Sequence, residues 1–253
     1  MDVYIAGTEE RSKYLYQDSQ GDTNSNIFTG SKLLQSFYYC NNFTEEVILP
    51  SVGKFMLDSG AFTFFQSGKQ VDWNDYVERY AEFINRNRIE LFLELDIDVL
   101  IGYENVLKLR KKLESLTGRQ CIPVWHKSRG KDDFIQTCKD YNYVALGGIV
   151  SKEITRNEWK HFPYFINKAH EHGAKIHGLG FTSLVDLPKY HFDSVDSTAW
   201  TSGNRFGTMF RFNGKSLDQH KRPDGTRLTD HRATAVHNFK EWVKFQRYAE
   251  THL

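Results

Sequence analysis

The stretch from His191 to Trp200, HFDSVDSTAW, concentrates residues that can do chemistry. Asp193 and Asp196 sit three apart around the apolar anchor Val195, and Ser197, Thr198 and Trp200 follow. A carboxylate at a strand end can serve as nucleophile or base; the same two aspartates can equally cap a following turn or helix. Other chemistry-bearing residues close other short apolar runs. Asp58 ends FMLD, and Asp96 ends LFLELD with Asp98 just beyond. His126 ends IPVWH, Gly147 and Gly148 end YVALGG, and KIHGLG carries His177, Gly178 and Gly180. One strand-end carboxylate is commonly a cap. Three, with one or two imidazoles at successive ends, point to a functional rim.

The elements that must position these residues follow from periodicity. Eight short runs read as strands: 3–7, 33–39, 55–58, 91–96, 122–126, 143–148, 175–180 and 193–197. Helical spacing marks 72–86, 103–116, 132–141, 158–172 (with Pro163 able to split it) and 234–248. Eight strands alternating with helices over 253 residues predict one α/β domain spanning 1–253, a (β/α)8 TIM barrel with its site at the strands' C-terminal ends. An open doubly wound sheet is the alternative. The links 8–31, 40–54 and 182–189 read as loops, the last with room for a short helix.

Composition excludes more than it identifies. A net charge of +1 gives no global nucleic-acid signal. Cys40, Cys121 and Cys138 form no CxxC pair, so neither a disulfide framework nor a zinc knuckle is expected, and a cytoplasmic location fits. No signal peptide and no apolar run of membrane-spanning length are read. No HxH or HExxH spacing supports a metal, so none is expected. Between 203 and 232, seven Lys and Arg face three Asp, a net of +4, with Phe206, Phe210 and Phe212 interleaved. This segment reads as a basic loop inserted before the last helix. Arg205, Arg211, Lys215, Lys221 and Arg222 are its candidate phosphate contacts, with an ordinary solvated loop as the alternative.

The ordered set of motifs resembles the tRNA-guanine transglycosylase superfamily. DSGAF (58–62) stands where that family has a DSGGF-like motif, and LELDID supplies Asp96. YVALGGI supplies a Gly-Gly pair, HGLG supplies a GxG strand, and DSVDS matches a closing strand of the form DMFDS. The resemblance covers roughly residues 55–207. It departs from the family in two places: the zinc motif is missing, and His126 stands where bacterial members carry a base-reading glutamine. With the short chain, these features are most similar to small phage-type relatives that act on DNA.

The resemblance implies an enzyme, a pentosyltransferase that replaces guanine in DNA with a free 7-deazaguanine base of the preQ0 kind. Asp196 is implied as nucleophile, with Asp193 as the rival alignment, and Asp58 as general acid and base. Asp96, His126, Gly147, Gly148, Ser59, Phe62, His177 and Asp193 are implied substrate contacts. No cofactor is implied. DNA is the expected partner, and the location is the cytoplasm, or a host's cytoplasm for a phage protein. The same exchange on tRNA, a metal-dependent barrel hydrolase and an inactive DNA-binding module are the alternatives.

Overall fold

A computed structural model describes residues 1–19, 26–60, 63–64, 71–203, 207–221 and 230–253. Phe62, Arg205 and Arg222 of the expected site lie outside the described residues, as does the side chain of Lys221.

Each of the eight expected runs forms a strand. They are β1 (Asp2–Ala6), β2 (Lys32–Ser36), β3 (Lys54–Asp58), β4 (Leu91–Phe92), β5 (Val124–Trp125), β6 (Tyr143–Leu146), β7 (Lys175–Gly178) and β8 (Ser194–Ser197). They make one sheet in the order β4-β3-β2-β1-β8-β7-β6-β5, with every pair parallel. The sheet is open and curled, and its edges β4 and β5 meet at a single parallel bridge, Leu93 to Ile122. At that bridge the Glu94 amide donates to the Ile122 carbonyl at 3.0 Å and the Ile122 amide to the Phe92 carbonyl at 2.8 Å.

The curl divides the core. Tyr4, Ala6, Leu34, Met56, Leu93, Ile122, Val124 and Ala145 form one buried cluster contributed by strands all along the sheet. Their alternate neighbours, such as Val3, Ile5, Leu33 and Val195, pack into a second cluster with the helices. Burial on both faces is why these strands read as nearly continuous apolar runs.

Among the described residues, the helices include α1 (Ser12–Ser19), α2 (Trp73–Arg86), α3 (Asp98–Ile101), α4 (Tyr103–Thr117), α5 (Gly130–Asp140), α6 (Phe162–Glu171) and α7 (His231–His252). In α2, Tyr76, Val77, Tyr80, Ala81, Phe83 and Ile84 make the buried face. Asp72 caps α2 by accepting from the Asn74 and Asp75 amides. Pro163 sits in the first turn of α6, where its missing N–H costs no helix bond, and a 3-10 turn (Arg156–His161) precedes it. Helix α7 is sewn to the sheet by Gln246, whose Nε2 donates to the carbonyls of Val3 (2.7 Å) and Lys32 (2.6 Å).

The expected closed barrel is met only as an open curled sheet with the Leu93–Ile122 bridge between its edges, and three further expectations change. The link 8–31 contains α1, held through buried Leu15. The link 40–54 contains a π-helical turn, Thr44–Ile48. The segment expected as a basic loop contains an antiparallel hairpin, β9 (Thr208–Phe212) with β10 (Leu217–Lys221). It docks on α7, where Asn238 Oδ1 accepts from the Phe210 amide (2.9 Å) and Glu241 Oε2 from the Phe212 amide (2.7 Å). Among the described residues, no helix is long and apolar enough to cross a membrane.

Candidate functional site

In a parallel sheet all C-terminal strand ends open at one end of the fold, so Asp58, Asp96, His126, Gly147 and Asp196 converge there. Hydrogen bonds join one group around His126, while Asp58 and Asp196 act on one another, and Asp58 on Asp96, through charge.

The hydrogen-bonded group centres on His126. Its Nε2 lies 2.8 Å from Asp96 Oδ1 and its Nδ1 lies 2.9 Å from Glu153 Oε2. Burial alone would push this imidazole down. The hydrogen bond and charge of Asp96, then Glu153 and Asp98, outweigh burial and raise it to about 9. At neutral pH the ring is therefore an imidazolium donating to two carboxylates. Gly147 makes room for it, because a Cβ there would stand 2.9 Å from His126 Cε1. Gly148, at φ +83°, makes room for Glu153 in the same way, with a Cβ 2.9 Å from Oε2. The Gly-Gly pair thus seats the His126–Glu153 bridge. Its Gly147 amide is bonded to the Trp125 carbonyl and its Gly148 carbonyl to the Ile154 amide.

Asp58 and Asp196 complete the rim. Burial pushes the Asp58 carboxyl up. The Gly60 amide, donating to Oδ2 at 3.0 Å, pulls it down, and the negative charges of Asp96, Asp196 and Glu9 push it up again. The result is a carboxyl raised to about 7. Asp196 is buried, and its Oδ1 accepts from the Gly180 amide at 2.5 Å and lies 3.2 Å from His177 Nε2. Gly180 adopts φ +73°, the left-handed conformation that lets its amide turn toward this carboxylate.

Several expected contacts fall elsewhere. Asp193 precedes β8 and lies at the opposite end of the sheet, where its Oδ2 binds the Ile176 amide (2.8 Å) and His170 (2.9 Å). The strand's period of two puts Ser194 and Asp196 on the inner face, and no such register brings Asp193 to the rim. Ser59 is fully buried, so it is wall and not contact. His177 is fully buried beneath Asp196. Arg211 and Lys215 are exposed on the hairpin, Arg211 opposite Asp218. A cleft of about 690 Å³ also opens at the Asp193 end, lined by Asp2, Lys54, Lys175 and Tyr143. Asp58, Asp96, Asp196 and His126 are at the other end, where parallel sheets place their chemistry, and we assign the candidate site there.

Four residues were not picked out as site residues in the sequence: Glu9, Asp98, Arg129 and Glu153. Glu9 Oε1 accepts from the Ser36 amide at 2.7 Å, and burial raises its carboxyl. Arg129, nearly buried, donates to Asp98 Oδ2 at 2.8 Å and lies 4.0 Å over the Tyr103 ring. Glu9 and Glu153 each follow a strand by a few residues, a signal weaker than an acid at the strand's last position. Asp96, Asp98 and His126 also offer atoms within 4.8 Å of one another, a spacing that could hold a metal ion. A metal there would first have to displace the His126 proton and the Arg129 contact.

No family model and no curated protein matches the sequence. What fold and site define together is a class: an α/β protein with a curled parallel sheet and a cluster of carboxylates, Asp58, Asp96, Glu153 and Asp196 among them, gathered at the C-terminal ends of its strands.

Proposed function

We propose that the protein is a base-exchange transglycosylase of the tRNA-guanine transglycosylase type, acting on guanine in DNA. In this reading the curled sheet works as a (β/α)8 barrel with the Leu93–Ile122 bridge as its seam. The observation that carries the proposal is the pairing of two unlike carboxylates. Asp58 is raised to about 7, while Asp196 is pinned by the Gly180 amide and His177. Two carboxyl groups in unlike environments suit acid–base and nucleophilic work on one glycosidic bond.

The guanine nucleotide must leave the stack to be reached. Asp196 then attacks C1′, the bond to guanine N9 breaks, and Asp58 gives its proton to the departing base. A 7-deazaguanine base next displaces the Asp196 ester at C1′ and gives its proton back to Asp58. Asp96, held by His126, accepts from the N1 and 2-amino edge of the purine. Arg211 and Lys215 contact phosphate. The three free cysteines fit a reducing cytoplasm.

The test is incubation with DNA or with unmodified tRNA, each with 7-cyano- or 7-aminomethyl-7-deazaguanine, followed by digestion and mass spectrometry of the nucleosides. A modified deoxynucleoside from DNA supports the proposal. A ribonucleoside from tRNA alone keeps the chemistry and overturns the substrate. The Asp96, Asp98 and His126 cluster favours a second reading, a metal-dependent hydrolase. Stoichiometric Zn²⁺ or Mn²⁺ binding by calorimetry, with chelator-sensitive hydrolysis and no base exchange, would establish it instead.

A further inference from the structure

Asp196 stands at the end of a line of buried polar groups. His177 Nε2 lies 3.2 Å from its Oδ1, and His177 Nδ1 lies 2.5 Å from Ser194 Oγ. Ser194 Oγ lies 2.5 Å from the Tyr143 hydroxyl, at the other end of the sheet. The three come from neighbouring strands β8, β7 and β6, on the face turned into the curl. His177 is 0% exposed and Ser194 1%, so neither can touch a substrate.

Hydrogen-bond directions along this line are constrained. Asp196 Oδ1 already accepts from the Gly180 amide, and with Asp196 as acceptor toward His177 as well, His177 Nε2 carries the hydrogen. With Nδ1 as acceptor, the Ser194 hydroxyl donates to it, and Ser194 accepts from Tyr143. Every group in the line is satisfied in that arrangement, which a buried network requires. The Tyr143 phenol begins the line as a donor, and burial keeps its proton on by raising it further above the ordinary tyrosine range. The Tyr4 ring packs edge-on against His177, with centroids 6.2 Å apart.

We propose that His177 is a positioning residue that aims the Asp196 carboxylate, and that Ser194 and Tyr143 fix the tautomer in which it does so. The assignment of Asp196 as the reacting group rests on the function proposed above. The tautomer does not. The logic is that of an imidazole oriented from behind by a hydrogen-bond partner, here with the imidazole itself as the orienting group.

Two measurements test it. In the substrate-free protein, long-range proton–nitrogen NMR of ¹⁵N-labelled histidine reads which ring nitrogen of His177 is protonated. A protonated Nε2 is expected. A bare Nε2 with protonated Nδ1 overturns the proposal whatever the protein's activity. In the exchange assay, His177→Phe is expected to lower kcat roughly 100-fold with KM nearly unchanged. His177→Gln, whose amide can still donate to Asp196, is expected to recover to within about tenfold of the parent. A raised KM at unchanged kcat would make His177 a substrate contact and overturn the assignment. Absence of exchange by the parent protein itself would remove the proposed function and leave the NMR result standing on its own.

Discussion

His126 Nε2 lies 2.8 Å from Asp96 Oδ1, and through that contact a carboxylate on one strand end governs the charge of an imidazole on the next. Burial acts against the charged ring, and the two flanking carboxylates reverse its effect. NMR titration of the His126 Cε1 proton should give a midpoint near 9. Asp96→Asn should bring it down toward the ordinary value of about 6.5. A parent midpoint below 7 would show that the bridge does not form in solution.

The same raised value has a consequence for stability. A histidine raised on folding contributes stability that is fully present below its unfolded pKa, about 6.5, and is lost as pH rises through about 9. His126→Ala should therefore destabilise the protein at pH 6 far more than at pH 10. Thermal melts at the two pH values check this.

Asp58 also costs stability as pH rises, in a lower window and because its charged form is the disfavoured one. Its folded carboxyl is raised to about 7 from 3.8, so stability falls as pH rises from about 4 to 7, where the unfolded carboxyl ionises freely and the folded one is held protonated. Asp58→Asn should be nearly neutral at pH 4 and stabilising at pH 8, by on the order of 1–4 kcal/mol. The same substitution should abolish base exchange. Denaturant melts of both proteins at the two pH values read the first effect, and the nucleoside assay reads the second.

Gly180→Ala places a side chain at φ +73°, at a cost of roughly 1–2 kcal/mol. Its Cβ also meets the exposed Val150 side chain, which can rotate away. The larger effect should be on Asp196, which loses the aim of the Gly180 amide. A fall in kcat exceeding what the change in melting temperature implies would be the signature.

Arg211→Ala and Lys215→Ala should each weaken DNA binding about equally on any sequence. Each should lower the slope of log K against log salt by about 1. Fluorescence anisotropy across salt concentrations measures it, and an unchanged slope would take the hairpin out of the DNA interface.

Most strands were legible because they are largely buried on both faces and read as short apolar-rich runs, whereas β8, SVDS, holds a single apolar residue between polar ones. Helix α1 was not legible, because SKYLYQDS buries Leu15 and little else that is apolar. The hairpin 208–221 was hidden because TMFRF and LDQHK alternate weakly. Its partners are side chains of α7, Asn238 and Glu241, some thirty residues further along. Asp58, Asp96, His126 and Asp196 were found from their positions at strand ends. The choice between Asp193 and Asp196 was open because a three-residue spacing fits two alignments, and only strand register separates them. Glu153 was missed because its role depends on two glycines whose missing side chains admit it and His126 together.

Strand β1 lies between β2 and β8, with Asp2 paired to Ser194 across most of the chain. On the ribosome, β1 to β4 can pair with one another early, but the free edge of β1 must wait until β8 has been made. Throughout that interval it displays unmatched amide and carbonyl groups, a template for pairing with another nascent chain. Chains ending before Ser194 should therefore collect as aggregates. Supplying 190–253 as a separate fragment should draw them back into solution.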